Sequence, residues 1–373
     1  MAHLAFDAKR AFHNSTGLGN YSRFILNGLV EQFGDKHEYS LMNPKEATLF
    51  KERDPRLKEV LPEGIYTILS SLWRSGAMWK ELRDNNVDLF HGLSNELPLG
   101  LEKQSIRSLV TIHDLIFESH PHFYKPFDRI IYRKKFKSAA QSANRVLSVS
   151  TFTKNELIER YGIAEEKIFI HYQSCHPAFQ VEGNLFNDRQ IASKFKLSEN
   201  FILSVGTIEE RKNLMNILKA IRRTDVPLVV VGRGGEYAKQ CREFVSKHRM
   251  ENRVFWIELI SPEDLAAIYR CASLFVYPSR VEGFGIPIIE ALFSKTPVIT
   301  SKGGVFPEAG GPHSKYVNPE SVEEIESTIA EILDNTILAE KQGILGKKYA
   351  EEHFEPSELI RQLDQHYTDL LFE

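Results

Sequence analysis

Between Ser279 and Leu292 the chain reads Ser-Arg-Val-Glu-Gly-Phe-Gly-Ile-Pro-Ile-Ile-Glu-Ala-Leu. Two carboxylates, Glu282 and Glu290, flank a glycine turn with seven residues between them. Gly283 and Gly285 clear side chains from the turn, so backbone N–H groups can approach a ligand, and a helix N-terminus behind it favours an anion. Amides and helix dipole on a phosphate, with carboxylates on hydroxyl groups, could grip a phosphorylated sugar. Spacing alone leaves a plainer alternative open, a common glycine turn with glutamates at the surface.

A second string, Gly206-Thr-Ile-Glu-Glu-Arg-Lys-Asn213, offers cations. Arg211 could hold a diphosphate with a bidentate fork and Lys212 as a point charge, while Asn213 suits a helix cap. A solvated charge cluster is the alternative. Thr111-Ile-His-Asp-Leu115 places His113 and Asp114 at a strand end, where a histidine can equally be a core or cap residue.

The elements that must position these residues are short strands alternating with helices. Leu274-Phe-Val-Tyr-Pro278 reads as the strand before the glycine turn, and Pro287 suits the first turn of the helix after it. Similar runs start at Leu4, Tyr39, Val87, Ser108, Arg145 and Ile168. A second series starts at Phe201, Pro227, Val254, Leu274, Pro297 and Tyr316. Helical stretches include 21–33 and 129–142. This alternation predicts an α/β protein of two doubly wound, Rossmann-like domains. The polar, Pro- and Gly-containing stretch 174–200 reads as their linker. Boundaries follow at 1–180 and 181–355, with a final helix over about 356–373.

The whole 279–292 string resembles the Glu-x7-Glu motif of retaining glycosyltransferases of family 4, which have the two-domain GT-B fold. The resemblance implies two domains facing each other across a cleft, the first binding acceptor and the second binding nucleotide-sugar donor. It also implies a last helix that crosses back to the first domain. It places Glu282 beside the donor sugar, Glu290 on the nucleotide ribose, and Phe284, Gly285 and Ile286 beside sugar and phosphate. Lys212 matches the family's phosphate-binding lysine. Many members carry Arg directly after the glycine where this chain has Thr207, a departure that leaves Arg211 to supply the charge. His113 matches the family's His-Asp segment and would hydrogen-bond the sugar. Asn14-Ser-Thr-Gly-Leu-Gly-Asn-Tyr21 resembles the family's first glycine-rich loop, with Gly17 and Gly19 either opening the backbone to phosphate or only making a tight connection. Ile257 and Glu258 lie where relatives hold the nucleotide base, though that strand could be core alone.

The catalytic set implied is His113, Glu282, Lys212 and Arg211. The reaction implied is transfer of a hexose, with retention of the α configuration, to a glycan or lipid-linked saccharide acceptor in polysaccharide or lipopolysaccharide synthesis. A same-face displacement is expected, since no second carboxylate is placed to act as nucleophile, and no metal or other cofactor is expected, since no Asp-x-Asp pair ends a strand. GDP-mannose is the first donor choice and UDP-glucose the second. A nucleotide-sugar epimerase of the same fold and a non-catalytic carbohydrate- or nucleotide-binding protein are the alternatives.

Bulk properties fit this. At 373 residues, with 42% hydrophobic and 26% charged residues, the chain has the size and composition of two soluble domains. A net charge of −3 argues against nucleic acid, and three scattered cysteines fit a reducing cytosol. The start shows no signal-peptide pattern and no run is long enough to span a bilayer. The basic, aromatic stretch 122–137 could touch anionic lipid at the cytoplasmic face of the inner membrane. A helix that buries its apolar face in the core is the favoured reading.

Overall fold

Strands buried on both faces need apolar residues at nearly every position, and the short runs in this chain have them. The computed structural model describes every residue except Thr48. It divides into two compact units, Met1–Ser174 with Glu355–Glu373, and Cys175–Phe354.

In the first unit β1 (Ala2–Asp7), β2 (His37–Met42), β3 (Leu57–Val60), β4 (Leu89–Gly92), β5 (Arg107–Ile112), β6 (Arg145–Ser148) and β7 (Ile168–Ile170) form one sheet. The order is β3-β2-β1-β4-β5-β6-β7, with every pair parallel. Leu4 and Phe6 pack with the helix Gly17–Phe33 through Tyr21, Ile25 and Leu29. Ala5 between them packs with Trp73 and Phe90, as strand alternation requires. The helix Pro356–Phe372 belongs to this unit, as the resemblance implied, and adds Ile360, Leu363, Tyr367 and Leu370 to the first of those clusters. A Cβ on Gly28 would lie 2.6 Å from the Ile360 side chain, so glycine permits that close packing. Asp364 anchors the helix by accepting from Lys36 at 2.5 Å and pairing with His37 at 2.8 Å.

The second unit holds β8 (Ile202–Val205), β9 (Leu228–Val231), β10 (Val254–Ile257), β11 (Leu274–Tyr277), β12 (Val298–Ser301) and β13 (Lys315–Val317). Their order is β10-β9-β8-β11-β12-β13, again all parallel. Both sheets are doubly wound. The strand order reverses between β1 and β4 in one unit and between β8 and β11 in the other, and such crossover points open a crevice at the strand C-termini where ligands bind.

Two expectations change. The stretch 174–200 is no plain linker: it contains the helix Leu185–Lys194, capped by Asn184, whose Asp188 takes a bidentate pair from Arg270 at 2.7 Å. The first unit ends at Ser174 rather than near 180 because Phe179 already packs edge-on against Tyr269, 5.5 Å away, in the second. In the basic stretch, the helix Pro126–Ser142 buries Phe136, Ala139 and Ala140 in a core cluster, while Phe127 and Ile130 are exposed.

Candidate functional site

The chain leaves β8 at Gly206 (φ +136°), makes a short 3-10 turn over Glu210–Lys212 and enters the helix Leu214–Ala220 through Asn213. It leaves β11 at Tyr277, runs through Pro278 and Ser279 to Glu282, and enters the helix Ile286–Phe293 through Gly285 at φ +104°, a conformation that favours glycine. Because β8 and β11 are neighbours at the crossover, these two loops meet. Asn213 joins them: it stands at the cap position but makes no side-chain cap bond, and its amide donates to the carbonyls of Pro278 at 3.1 Å and Pro319 at 2.7 Å.

Glu282 lies at the centre and is 7% exposed. Its Oε1 accepts from Lys212 Nζ at 2.6 Å, Ser279 Oγ at 2.7 Å and the Tyr277 hydroxyl at 2.8 Å. Its Oε2 pairs with Arg211 at 2.6 Å. Burial alone would raise this carboxyl; the Lys212 and Arg211 charges outweigh burial and hold it at about 2. Burial pulls Lys212 down, and the facing carboxylate works against that pull. Arg211 also donates to the Val281 carbonyl and pairs with Glu209. Both cations expected to reach outward are therefore already engaged with Glu282, and Glu282 is a saturated counter-ion rather than an open carboxylate.

Glu290 sits one turn into its helix, partly buried, 3.0 Å from the Tyr269 hydroxyl. Burial raises it to about 7, with the Tyr269 hydroxyl and Lys212 opposing. The two carboxylates of one motif thus have opposite electrostatics.

Of the other expected donor contacts, Thr207 is exposed just past Gly206, and Ile286 opens the helix after Gly285. Phe284 is buried, its ring edge-on to Phe354 at 5.5 Å. Ile257 is buried and its carbonyl accepts from Gly232 at 2.8 Å, so that main-chain acceptor is engaged in the sheet. Glu258 pairs with Arg242 at 3.1 Å. Gly232 itself has φ +151°, and a Cβ there would lie 2.0 Å from the Gly206 carbonyl oxygen. Gly232→Ala is accordingly expected to cost about 2–3 kcal/mol in a urea unfolding curve, by forcing β8 and β9 apart.

In the first unit His113 directly follows β5. Its Nε2 lies 2.9 Å from the Leu93 carbonyl and its Nδ1 2.7 Å from the Gln173 amide, an arrangement that assigns the proton to Nε2. Burial lowers the ring to about 4, so it is neutral. Both nitrogens are thus satisfied within the unit, where the sequence suggested a nitrogen turned to sugar. Tyr21 braces the ring edge-on at 4.7 Å, and Asp114 accepts from Ile116 N–H at 3.1 Å, capping the next turn. Gly17 and Gly19 are part of the helix Gly17–Phe33 and differ: a Cβ on Gly19 would lie 1.8 Å from the Asn14 carbonyl, whereas one on Gly17 would meet open space. Gly19 serves the tight connection; Gly17 alone keeps an approach open.

Sequence reasoning missed Tyr277, Ser279, Tyr269 and Gln173. Tyrosine rather than an aliphatic residue at the last position of β11 was the one local signal.

The second unit matches the model of Glycosyl transferases group 1 over residues 187–349, and the first matches Glycosyltransferase Family 4 over residues 16–174. The chain is 28% identical over 314 residues to O-antigen chain mannosyltransferase B of Escherichia coli, covering 82% of this chain and 78% of that protein. It is 29% identical over 269 residues to O-antigen chain mannosyltransferase RfbU of Salmonella typhimurium, covering 70% of each. Among solved structures, HepE of Anabaena in complex with UDP and glucose superposes with a TM-score of 0.78 at 15% identity over 99% of both chains. With both units matched in sequence and two doubly wound parallel sheets beneath them, the chain belongs to the group 1, family 4 glycosyltransferases, enzymes of the GT-B fold.

Proposed function

We propose that the protein transfers a mannosyl residue from a nucleotide sugar, GDP-mannose by preference, to a glycan or lipid-linked saccharide acceptor with retention of the α configuration. The observation that carries this reading is the Lys212–Glu282–Arg211 cluster at the β8/β11 crossover, beside a glycine-capped helix N-terminus. The choice of mannose rests on the two O-antigen mannosyltransferase relatives. The second unit, Cys175–Phe354, holds the donor; the first, Met1–Ser174 with Glu355–Glu373, holds the acceptor.

Charge builds on the departing diphosphate as the sugar's anomeric carbon becomes cationic. Lys212, Arg211 and the amides behind Gly285 stabilise that leaving group without rearranging. The bond from the anomeric carbon to the diphosphate oxygen breaks while one to the acceptor oxygen forms on the same face, and the acceptor's proton passes to the leaving phosphate oxygen. Glu282, saturated by four donors and held at about 2, is unsuited to be nucleophile or base; it fixes the cations. Glu290 receives the ribose hydroxyls. His113 is a neutral ring of the first unit, and its Nδ1 can accept from a sugar hydroxyl in place of the Gln173 amide.

Among the described residues no helix is long and apolar enough to cross a membrane. Exposed Phe127 and Ile130 on a basic helix support peripheral contact with anionic lipid at the cytoplasmic face. A UDP-glucose donor is the second reading, favoured by the UDP and glucose in the HepE complex.

Calorimetric titration with GDP-mannose, UDP-glucose and ADP-glucose, each with magnesium and with EDTA, tests the proposal. GDP-mannose should bind tightest and survive EDTA. Absence of any nucleotide-sugar binding overturns it, and strict magnesium dependence overturns the metal-free step. Tightest binding of UDP-glucose selects the second reading.

A further inference from the structure

We propose that Arg233, two residues past the end of β9, clamps the donor diphosphate from the segment beside the Lys212 loop, supplying the cation that Thr207 lacks. This rests on the nucleotide-sugar reading above.

The charge arrangement sets the need. Arg211 pairs with Glu209 as well as Glu282, and Lys212 with Glu282, so two cations already face two carboxylates before any ligand arrives. A diphosphate brings further negative charge to this strand end. The residue directly after Gly206, best placed to meet it, is an uncharged, exposed threonine.

Register identifies the substitute. β8 pairs with β9 from Ile202↔Leu228 to Val205↔Val231, and the pairing resumes at the bridge Ile208↔Gly234 with the same offset. Thr207 therefore stands opposite Arg233. Gly206 N–H donates to Val231 at 2.9 Å and Ile208 N–H to Arg233 at 2.7 Å, so the two segments stay joined beyond the strands proper. The absent side chain at Gly232 allows that contact, since a Cβ there would strike the Gly206 carbonyl. In a parallel pair, residues opposite each other project from the same face of the sheet. The Arg233 side chain thus starts one strand away from Thr207 and on its side.

Surface arginines are usually just solvated. Three facts separate this one. It lies in register with the uncharged position, among glycines 232, 234 and 235 that leave its surroundings clear. Gly206, Thr207, Ile208, Lys212 and Tyr277 line a small hollow at the end of the adjacent strand β8, and Arg233 stands beside that strand without being part of the lining. Among the described residues, its side chain has no hydrogen-bond or ion-pair partner, unlike Arg211.

The test uses the full chain as wild type, R233A, R233K and the double variant R233A/T207R, titrated with GDP, UDP and the parent nucleosides. R233A should weaken diphosphate binding about ten- to thirtyfold, the loss of one charge-assisted contact, and leave nucleoside binding unchanged. R233K should recover part of the affinity. R233A/T207R should recover most, because it returns the cation to the opposite strand; a merely structural role would not be rescued this way. Diphosphate binding by R233A within about twofold of wild type overturns the proposal, as does an equal loss for nucleosides. If wild type binds neither GDP nor UDP, the donor reading itself fails and this inference with it.

Discussion

Replacing Glu282 by alanine is expected to cost about 3–5 kcal/mol of stability and to reduce sugar transfer below detection. The cost arises from what remains. Arg211 and Lys212 would stay largely buried and face each other without the carboxylate that neutralises both. The Tyr277 and Ser279 hydroxyls would lose their shared acceptor. The pH dependence has a definite sign. Glu282 stands at about 2 in the folded protein against an ordinary 4.5. Its contribution is therefore complete above about pH 4.5 and is lost as pH falls towards 2. Urea unfolding at neutral pH and at about pH 4 should show the wild-type advantage shrinking on acidification. Removing one cation as well, in Glu282→Ala with Lys212→Met, should restore part of the stability and none of the turnover. That separation distinguishes a charge-balancing carboxylate that holds the catalytic cations from one that only holds the fold. An alanine variant as stable as wild type would sink the account.

The parts of this molecule that could be read from sequence were those with a local cause. Runs such as Leu228–Val231 are apolar at every position because their sheet is covered on both faces, and the expected runs all form strands. β3 was missed for the converse reason. Leu57-Lys-Glu-Val60 lies at the sheet edge, where two charged residues are tolerated and blunt the strand signal. The helix Leu185–Lys194 was hidden by its polar composition, although Asn184 before it carried a cap signal. In the site, the glutamates, Lys212 and the glycines were legible because a loop between strand and helix keeps fixed spacing. Their electrostatics were not. Nothing in the spacing says that Ser279 and Tyr277 close on Glu282 while Tyr269, from a different helix, faces Glu290. For the same reason His113 could be placed at a strand end but not given its partners, since Gln173 lies 60 positions away. Register between distant strands, which sets Arg233 opposite Thr207, is likewise a property of the folded sheet alone.

The ribose contact proposed for Glu290 leads to the second large effect, an expected pH-dependent grip on the donor. Burial raises its carboxyl to about 7, so near neutrality about half of the ligand-free molecules carry it protonated. An ionised carboxylate accepts from both hydroxyls of a ribose, whereas a protonated one has spent an oxygen on its own proton. Affinity for GDP-mannose should therefore rise about tenfold between about pH 6 and pH 8, following the competent fraction. A nucleotide sugar is the right probe because its diphosphate does not ionise in this range. Glu290→Gln should flatten the profile, and a 2′,3′-dideoxy nucleotide should flatten it in the wild type, since no hydroxyls remain to be received. Tyr269→Phe should move the midpoint upward by removing the hydroxyl that favours the charged form. The stability consequence runs opposite to that of Glu282: because the folded value lies above the ordinary 4.5, the Glu290 contribution is greatest below 4.5 and falls as pH rises to about 7. Ligand binding then favours the charged form that folding disfavours, so donor binding should take up hydroxide, or release a proton, near pH 7. Calorimetry in buffers of different ionisation enthalpy measures that proton directly. A flat affinity profile with no proton released would remove Glu290 from the ribose.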